Sequence, residues 1–260
     1  MREFRQAVRD GSVLIGTSIK TASHQVPEVI GAAGLDFAII DAEHAPFDLP
    51  TLDRMALAGK AAALPCLVRV AELAEAPIGQ VLDLGAAGVV IPHVASLEAA
   101  RRAVTAAKYG KGQRGYSPST RASGYGTVDP LAYRAWADQI SSVWCQIEDA
   151  AALPQLDAIA AVDEVDCLFI GRADLAASLG VDSQRDPQVV AAVKATAEAG
   201  RRHGRTVAIF IGDTAEIPDL LALGITVFVC GSDQSFMLAQ GRRVRQDLAA
   251  FLAARSGEPR

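Results

Sequence analysis

Along this chain, short blocks of consecutive apolar residues alternate with longer stretches whose apolar positions recur every three or four residues. The short blocks are Val13–Ile19, Phe37–Asp41, Cys66–Val70, Gly88–Ile91, Val143–Glu148, Cys167–Ile170, Thr206–Ile211 and Thr226–Cys230. They are rich in β-branched side chains and too short for helices, which marks them as buried strands. Nearly every gap between them carries an Ala-rich helical pattern, as in Leu97–Lys108 and Val189–Arg202. Strand–helix alternation repeated eight times predicts an α/β fold closed into a (β/α)8 barrel. An open doubly wound sheet is the alternative, and the even spacing of eight units favours closure. The last stretch, Ser235–Arg255, predicts a long helix with Phe236, Leu238, Val244, Leu248, Phe251 and Leu252 as its apolar face. That face suits covering the barrel or packing on another subunit.

Composition narrows the class. The 260 residues contain no linker-like or low-complexity segment, so residues 1–260 are expected to form one barrel domain. Half are hydrophobic but only 5% aromatic, so Ala, Val, Leu and Ile must build the core. A net charge of −5 argues against nucleic acid as a partner. No apolar run reaches the length of a membrane span, and Met-Arg-Glu-Phe-Arg lacks the apolar segment of a signal peptide. Cys66, Cys145, Cys167 and Cys230 all fall inside strand blocks without Cys-x-x-Cys spacing, so a cytoplasmic protein with reduced thiols is expected. The longest gap, Ile91 to Val143, holds Gly110-Lys-Gly-Gln-Arg-Gly115, a formal match to the dinucleotide fingerprint. It follows a helical stretch instead of a strand, so these glycines read as a helix stop and turn. No organic cofactor is expected.

In a parallel α/β fold, ligands bind outside the carboxyl ends of the strands, so chemistry is sought where each block ends. The fifth block ends at Glu148, and Asp174 lies just past the sixth, beyond Gly171. Two carboxylates at one rim suit a hard divalent cation; the same two acids would serve equally as caps of the helices that follow. Gln146 shares a strand face with Glu148 by alternation. The stretch Gly171-Arg172-Ala173-Asp174 opens a helix whose backbone N–H groups can hold an anion. The second block ends Asp41-Ala-Glu-His44, and His44, one of four histidines, is the expected general acid or base. His93, after the fourth block, is the runner-up. Arg69 within the third block must be paired. It is either a structural ion pair or an inward-pointing donor, and the second is favoured. Asp83, on the helix before the fourth block, reads by itself as a surface acid. Together these parts fit cation-assisted chemistry on a small 2-oxo acid, with an enolate stabilised by the cation and Arg69.

From Gly16 to Ala239 the chain resembles the HpcH/HpaI family of class II, metal-dependent pyruvate aldolases. The matching stretches, in order, are Asp41-Ala-Glu-His44-Ala-Pro, Val68-Arg69, Leu82-Asp83-Leu-Gly-Ala, Arg114-Gly115, Gln146-Ile-Glu148 and Phe169-Ile-Gly171-Arg-Ala-Asp174-Leu. The resemblance implies a (β/α)8 barrel that cleaves a 4-hydroxy-2-oxo acid into pyruvate and an aldehyde. It implies His44 as base, Arg69 as stabiliser of the transition state, and Glu148 and Asp174 as ligands of Mg²⁺, Mn²⁺ or Co²⁺. Gln146, Gly171 and the backbone at Ala173 and Asp174 would hold the 2-oxo acid. Asp83, or less directly Asp41, would raise the basicity of His44. The family assembly implied is a homohexamer of paired trimers with an exchanged C-terminal helix. Two positions depart from the pattern: Arg172 stands where Pro is common, and His93 where Met is common. They bear on the substrate, and Arg172 is expected to recognise a further acidic or polar group on it. The alternatives to an aldolase are oxaloacetate decarboxylation, a citrate lyase β-like or malyl-CoA lyase-like reaction, and a non-catalytic metabolite-binding barrel.

Overall fold

The computed structural model describes residues 2–256. Strands β1 (Leu14–Ile19), β2 (Phe37–Asp41), β3 (Cys66–Arg69), β4 (Gly88–Ile91), β5 (Ser142–Ile147), β6 (Cys167–Ile170), β7 (Thr206–Ile211) and β8 (Val227–Ser232) all run parallel and close in that order. Closure is made by β1 against β8, with Leu14 opposite Val227. This is the (β/α)8 barrel that the alternation predicts. Block boundaries move by a residue or two at β1, β3, β5 and β8, so Glu148 stands one residue beyond its strand.

Helices α1 (Arg2–Arg9), α2 (Gln25–Ala32), α3 (Leu49–Ala61), α4 (Glu75–Asp83), α5 (Leu97–Ala107), α6 (Pro130–Ile140), α7 (Leu156–Ala160), α8 (Arg172–Leu179), α9 (Pro187–His203), α10 (Ile217–Ala222) and α11 (Asp233–Ser256) complete the described chain. Their starts are marked by side-chain caps: Asp48 accepts from Thr51 N–H, Ser96 from Ala99 N–H and Asp186 from Gln188 N–H. Gly180 and Gly204 end α8 and α9 in the left-handed conformation that stops a helix. Small residues such as Ala100, Ala103 and Ala107 let the helices lie close on the sheet.

Two apolar layers result. One lies between barrel and helices, built from residues such as Ile40, Val68, Ile91, Ile147 and Ile170. The other fills the barrel: Phe37, Leu67, Val90, Trp144 and Phe169 meet inside it, and Phe4 and Val8 of α1 close its amino-terminal end. Trp144 donates its indole N–H to Ser142 Oγ at 2.9 Å, so its burial leaves no polar atom unpaired.

After α5, the backbone N–H groups of Tyr109 and Gly110 donate to Asp138 at 2.8 and 2.7 Å, so the glycine-rich stretch is a helix stop and turn. The long segment that follows belongs to the amino-terminal side of the barrel, away from the rim where the strands end. The C-terminal helix leaves the barrel instead of covering it: every residue from Gln234 to Arg255 is exposed. Among the described residues no helix is long and apolar enough to cross a membrane, and all four cysteines are free thiols.

Candidate active site

The register of the barrel aligns Asp41 at the end of β2 with Arg69 at the end of β3. Asp41 is fully buried and accepts from Arg69 Nε at 2.9 Å and Nη2 at 2.8 Å. Burial pushes the Asp41 carboxyl up, but the guanidinium outweighs it and holds the group below its usual range. Lys20 Nζ stands 3.3 Å away on the other side. With two nitrogens fixed, the remaining Nη1 of Arg69 faces the mouth, 3.4 Å from Gln146 Oε1 and 3.2 Å from Glu43 Oε2. Arg69 is therefore ion-paired to Asp41 and turns its third nitrogen toward the mouth.

Gln146 and Glu148 project to one side of β5, as alternation requires. Glu148 is buried and accepts from the Gln146 side-chain amide and from the His93 backbone N–H, the latter at 2.8 Å. Burial pushes its carboxyl above the ordinary carboxylate range, and the charges of Glu43 and Asp174 add to this against the opposing His93. A side chain at Gly171 would collide with this pair, because a Cβ there would lie 2.9 Å from Glu148 Oε2 and 3.0 Å from Gln146 Nε2. Asp174 sits exposed in the first turn of α8. With Arg69, Gln146, Gly171, Arg172 and Ala173 it lines a cavity of about 150 Å³ at the mouth.

His44 is half exposed, and its Nε2 lies 3.7 Å from Glu43 Oε2. Asp41 reaches only the backbone N–H of His44, at 3.2 Å. The carboxylate that faces the imidazole is thus Glu43, which the sequence reading left without a task. One signal could have found it: two residues past Asp41, at the same strand end, it can return to the same side.

Within one chain, Asp83 and His44 are not brought together. Asp83 ends α4, just before β4 begins, so it lies at the opposite end of the barrel from His44. Its carboxylate accepts from Arg114 at 2.6 Å. Arg172 lines the cavity, but its charge is committed. Nη1 donates to Glu216 Oε2 at 2.6 Å, and Nη2 to Glu216 Oε1 at 3.2 Å and to the Phe210 carbonyl at 2.9 Å. Arg172 Nε is buried without a hydrogen-bond partner among the described residues.

His93 takes φ of 54°, a left-handed conformation seldom adopted by residues other than glycine and asparagine. Its ring meets carboxylates, with Nδ1 3.2 Å from Asp149 Oδ2 and Nε2 3.7 Å from Glu43 Oε1. Its slight burial pushes the imidazole pKa down, but Glu148, Asp149 and Glu43 outweigh this and raise it. Glu43, His93 and Glu148 each offer a ligand atom within 4.8 Å of one another. Glu43 Oε2 is buried without a hydrogen-bond partner. Asp41, Glu43, Glu148, Asp149 and Asp174 face Arg69 and Lys20, since Arg172 is cancelled by Glu216. An acid-rich mouth of this kind fits a divalent cation.

A closed barrel with an acid-lined mouth, a histidine at its edge and an anchored arginine inside has its polar groups where barrel enzymes carry their active sites. The chain belongs to the HpcH/HpaI aldolase/citrate lyase family, whose model matches residues 15–239. It is similar to the hydroxypyruvate/pyruvate aldolase of Roseobacter denitrificans, 33% identical over 94% of this chain and 96% of that one. It is also similar to the 5-keto-4-deoxy-D-glucarate aldolase of Salmonella paratyphi C, 35% identical over 89% of this chain and 90% of that one. The crystal structure of an HpcH/HpaI aldolase/citrate lyase family protein from Burkholderia cenocepacia superposes with a TM-score of 0.91 at 31% identity, covering 96% of this chain and all of that one.

Proposed function

We propose that this enzyme is a divalent-cation-dependent aldolase. It reversibly cleaves a 4-hydroxy-2-oxo acid between C3 and C4 into pyruvate, or a close 2-oxo acid, and an aldehyde. The observation that carries this is Glu148: a buried carboxylate held by Gln146 and the His93 N–H, beside Arg69 and close to Asp174. A divalent cation held by Glu148 and Asp174 would supply Lewis acidity toward the keto and carboxylate oxygens of the 2-oxo acid. Oxygen donors of this kind suit Mg²⁺ or Mn²⁺, and Co²⁺ is the third ion the family resemblance implies.

His44 takes the proton of the 4-hydroxyl as the C3–C4 bond breaks and the aldehyde carbonyl forms. Its half-exposed position at the edge of the mouth suits a group that meets the departing aldehyde. Glu43 Oε2 stands 3.7 Å from its Nε2. The electron pair of the broken bond passes into the 2-oxo acid as an enolate, and Nη1 of Arg69 faces its developing negative charge. Asp41 fixes the other two nitrogens of that guanidinium, so little reorganisation is needed as the charge appears. Gln146 and the free N–H groups at the start of α8, at Ala173 and Asp174, hold the carboxylate end. Protonation of the enolate at C3 gives pyruvate. Arg172, tied to Glu216, positions the start of α8 against β7.

The exposed apolar face of α11 supports a homo-oligomer, for which we propose the hexamer of paired trimers. Four free thiols support a cytoplasmic location for a single barrel domain spanning residues 1–260.

Exchange of pyruvate methyl protons in D₂O, followed by NMR, tests the half-reaction without knowledge of the aldehyde. Exchange should vanish with EDTA, return with Mg²⁺ or Mn²⁺, and be lost in Glu148→Gln. Exchange that persists in EDTA, or in Glu148→Gln, would overturn the proposal.

A further inference from the structure

The mechanism above uses the β3, β5 and β6 sides of the mouth and leaves the wall made by β7, β8 and β1 without a task. That wall belongs to the same cavity of about 150 Å³, through Ser18, Lys20, Phe210 and Val229. Alternation puts Ser18 on the inner face of β1, and Lys20 follows two residues on, just past the strand end. The turn there is pinned from behind. The backbone N–H groups of Lys20 and Thr21 donate to the buried Asp233 carboxylate at 2.8 and 3.1 Å. Asp233 opens α11, so the base of that helix fixes where the Lys20 side chain starts. Phe210 and Val229 are apolar, which leaves Lys20 Nζ and the Ser18 hydroxyl as the polar groups of this wall.

Lys20 is the cation of this cavity with donors to spare. Arg172 is taken up by Glu216 and the Phe210 carbonyl, and Arg69 gives two nitrogens to Asp41. Lys20 Nζ meets Asp41 Oδ2 at 3.3 Å, but an ammonium carries three N–H donors, so others remain. Asp41 has little need of this second cation. It already accepts from Arg69 twice and from the His44 N–H, and Lys20 is the least of the influences that lower its pKa. Ser18, itself buried, adds a hydroxyl that can both give and accept a hydrogen bond.

C2 of a 2-oxo acid is planar, so three directions leave it. With the acid held as proposed, its carboxylate goes to Gln146 and the start of α8, and its keto oxygen to the cation and Arg69. The third direction, toward C3, is left with the β7–β8–β1 wall. There Lys20 Nζ and Arg69 Nη2 share Asp41 Oδ2, at 3.3 and 2.8 Å, so the two cations stand side by side. We propose that Lys20 is a specificity-determining residue for the 2-oxo acid: its ammonium, with the Ser18 hydroxyl, binds an oxygen substituent on C3. The substrate class is then a 4-hydroxy-2-oxo acid that also carries oxygen on C3, and cleavage leaves that oxygen on the 2-oxo acid released. The inference rests on the aldolase reading of this mouth.

The test is competition against pyruvate methyl exchange in D₂O, with Mg²⁺ present, by two 2-oxo acids of nearly equal size. 3-Hydroxypyruvate carries a hydroxyl on C3, and 2-oxobutyrate carries a methyl group there. The wild type should bind 3-hydroxypyruvate at least about 10-fold more tightly, the scale of one hydrogen bond from a charged donor. In Lys20→Met that advantage should vanish, whatever happens to the exchange rate itself. In Ser18→Ala it should shrink roughly 3-fold, as for a neutral hydrogen bond. Equal inhibition by the two acids in the wild type, a result that needs no variant to fold, would overturn the proposal. So would an advantage that Lys20→Met leaves intact, which would make Lys20 a counterion of Asp41 only. If pyruvate exchanges and the advantage is absent, the aldolase reading stands and this inference alone falls. If the wild type exchanges no pyruvate with Mg²⁺ or Mn²⁺, both fall.

Discussion

The two ends of this barrel use the same kinds of residue to opposite effect. At the amino-terminal end, α1 lies across the opening, and every nitrogen of the Arg5 guanidinium has an acceptor. Nε and Nη2 donate to Asp166 at 2.8 and 2.9 Å, Nη2 to Glu164 at 2.6 Å and Nη1 to the Asp138 carbonyl at 2.7 Å. Asp166 also accepts from Ser142 Oγ and Val143 N–H. Lys108 is buried, yet its ammonium donates to the Asp138 and Ser141 carbonyls. At the carboxyl end, Glu148 is held above its usual range and acids outnumber cations. Buried charge alone therefore does not mark a functional site. What marks it is what remains unmatched after the chain's own partners are counted.

Breaking the closed end should have the largest effect, and on stability alone. Arg5→Met strands Asp166 and Glu164, and should cost about 3–5 kcal/mol in urea unfolding. The proton-exchange rate per folded molecule should stay near that of the wild type. At the open end the signature should invert. Arg69→Lys keeps a charge beside Asp41 but loses the fork, so exchange should slow about 10²–10³-fold with a much smaller change in the unfolding midpoint. Equal stability losses at both ends would erase the distinction. Gly171→Ala is a milder probe of the mouth. The new methyl would push on Glu148 and Gln146, and cation affinity measured by calorimetry should drop roughly 10-fold, the scale of lost metal-site support.

The smallest effect is in pH. Arg5 outweighs burial and holds the Glu164 carboxyl below its usual range. The stability this adds is present above the unfolded value of about 4.3, and is lost as pH falls through the lowered folded value. Thermal melts from pH 6 to pH 3 should thus decline more steeply for the wild type than for Glu164→Gln. Parallel curves would remove Glu164 from the closed-end network.

Much of this was legible in the sequence because β-strands buried on both faces leave unbroken apolar runs. Eight such runs, evenly spaced, specify the barrel. Reading the residue at each run's end led to Asp41, Arg69, Gln146 and Glu148 for the same reason. What stayed hidden depends on neighbours far apart in the chain. Nothing near Arg172 announces Glu216, which approaches from the loop after β7. Glu43 acquires meaning only when β3 and β4 bring Arg69 and His93 against it. Asp83 precedes a strand, so within one chain it belongs to the end where strands begin, away from His44.

The plug of α1 also sets an order in time. Arg5 and Asp166 are 161 residues apart. At the pace of ribosomal synthesis roughly 10–30 s separate their appearance. The strand that must pair with β1 to close the wall, β8, comes later still. During synthesis, a helix whose partners do not yet exist must wait for them to emerge before its contacts can form. Arg5 would leave the ribosome well before Asp166 and be among the last residues to dock.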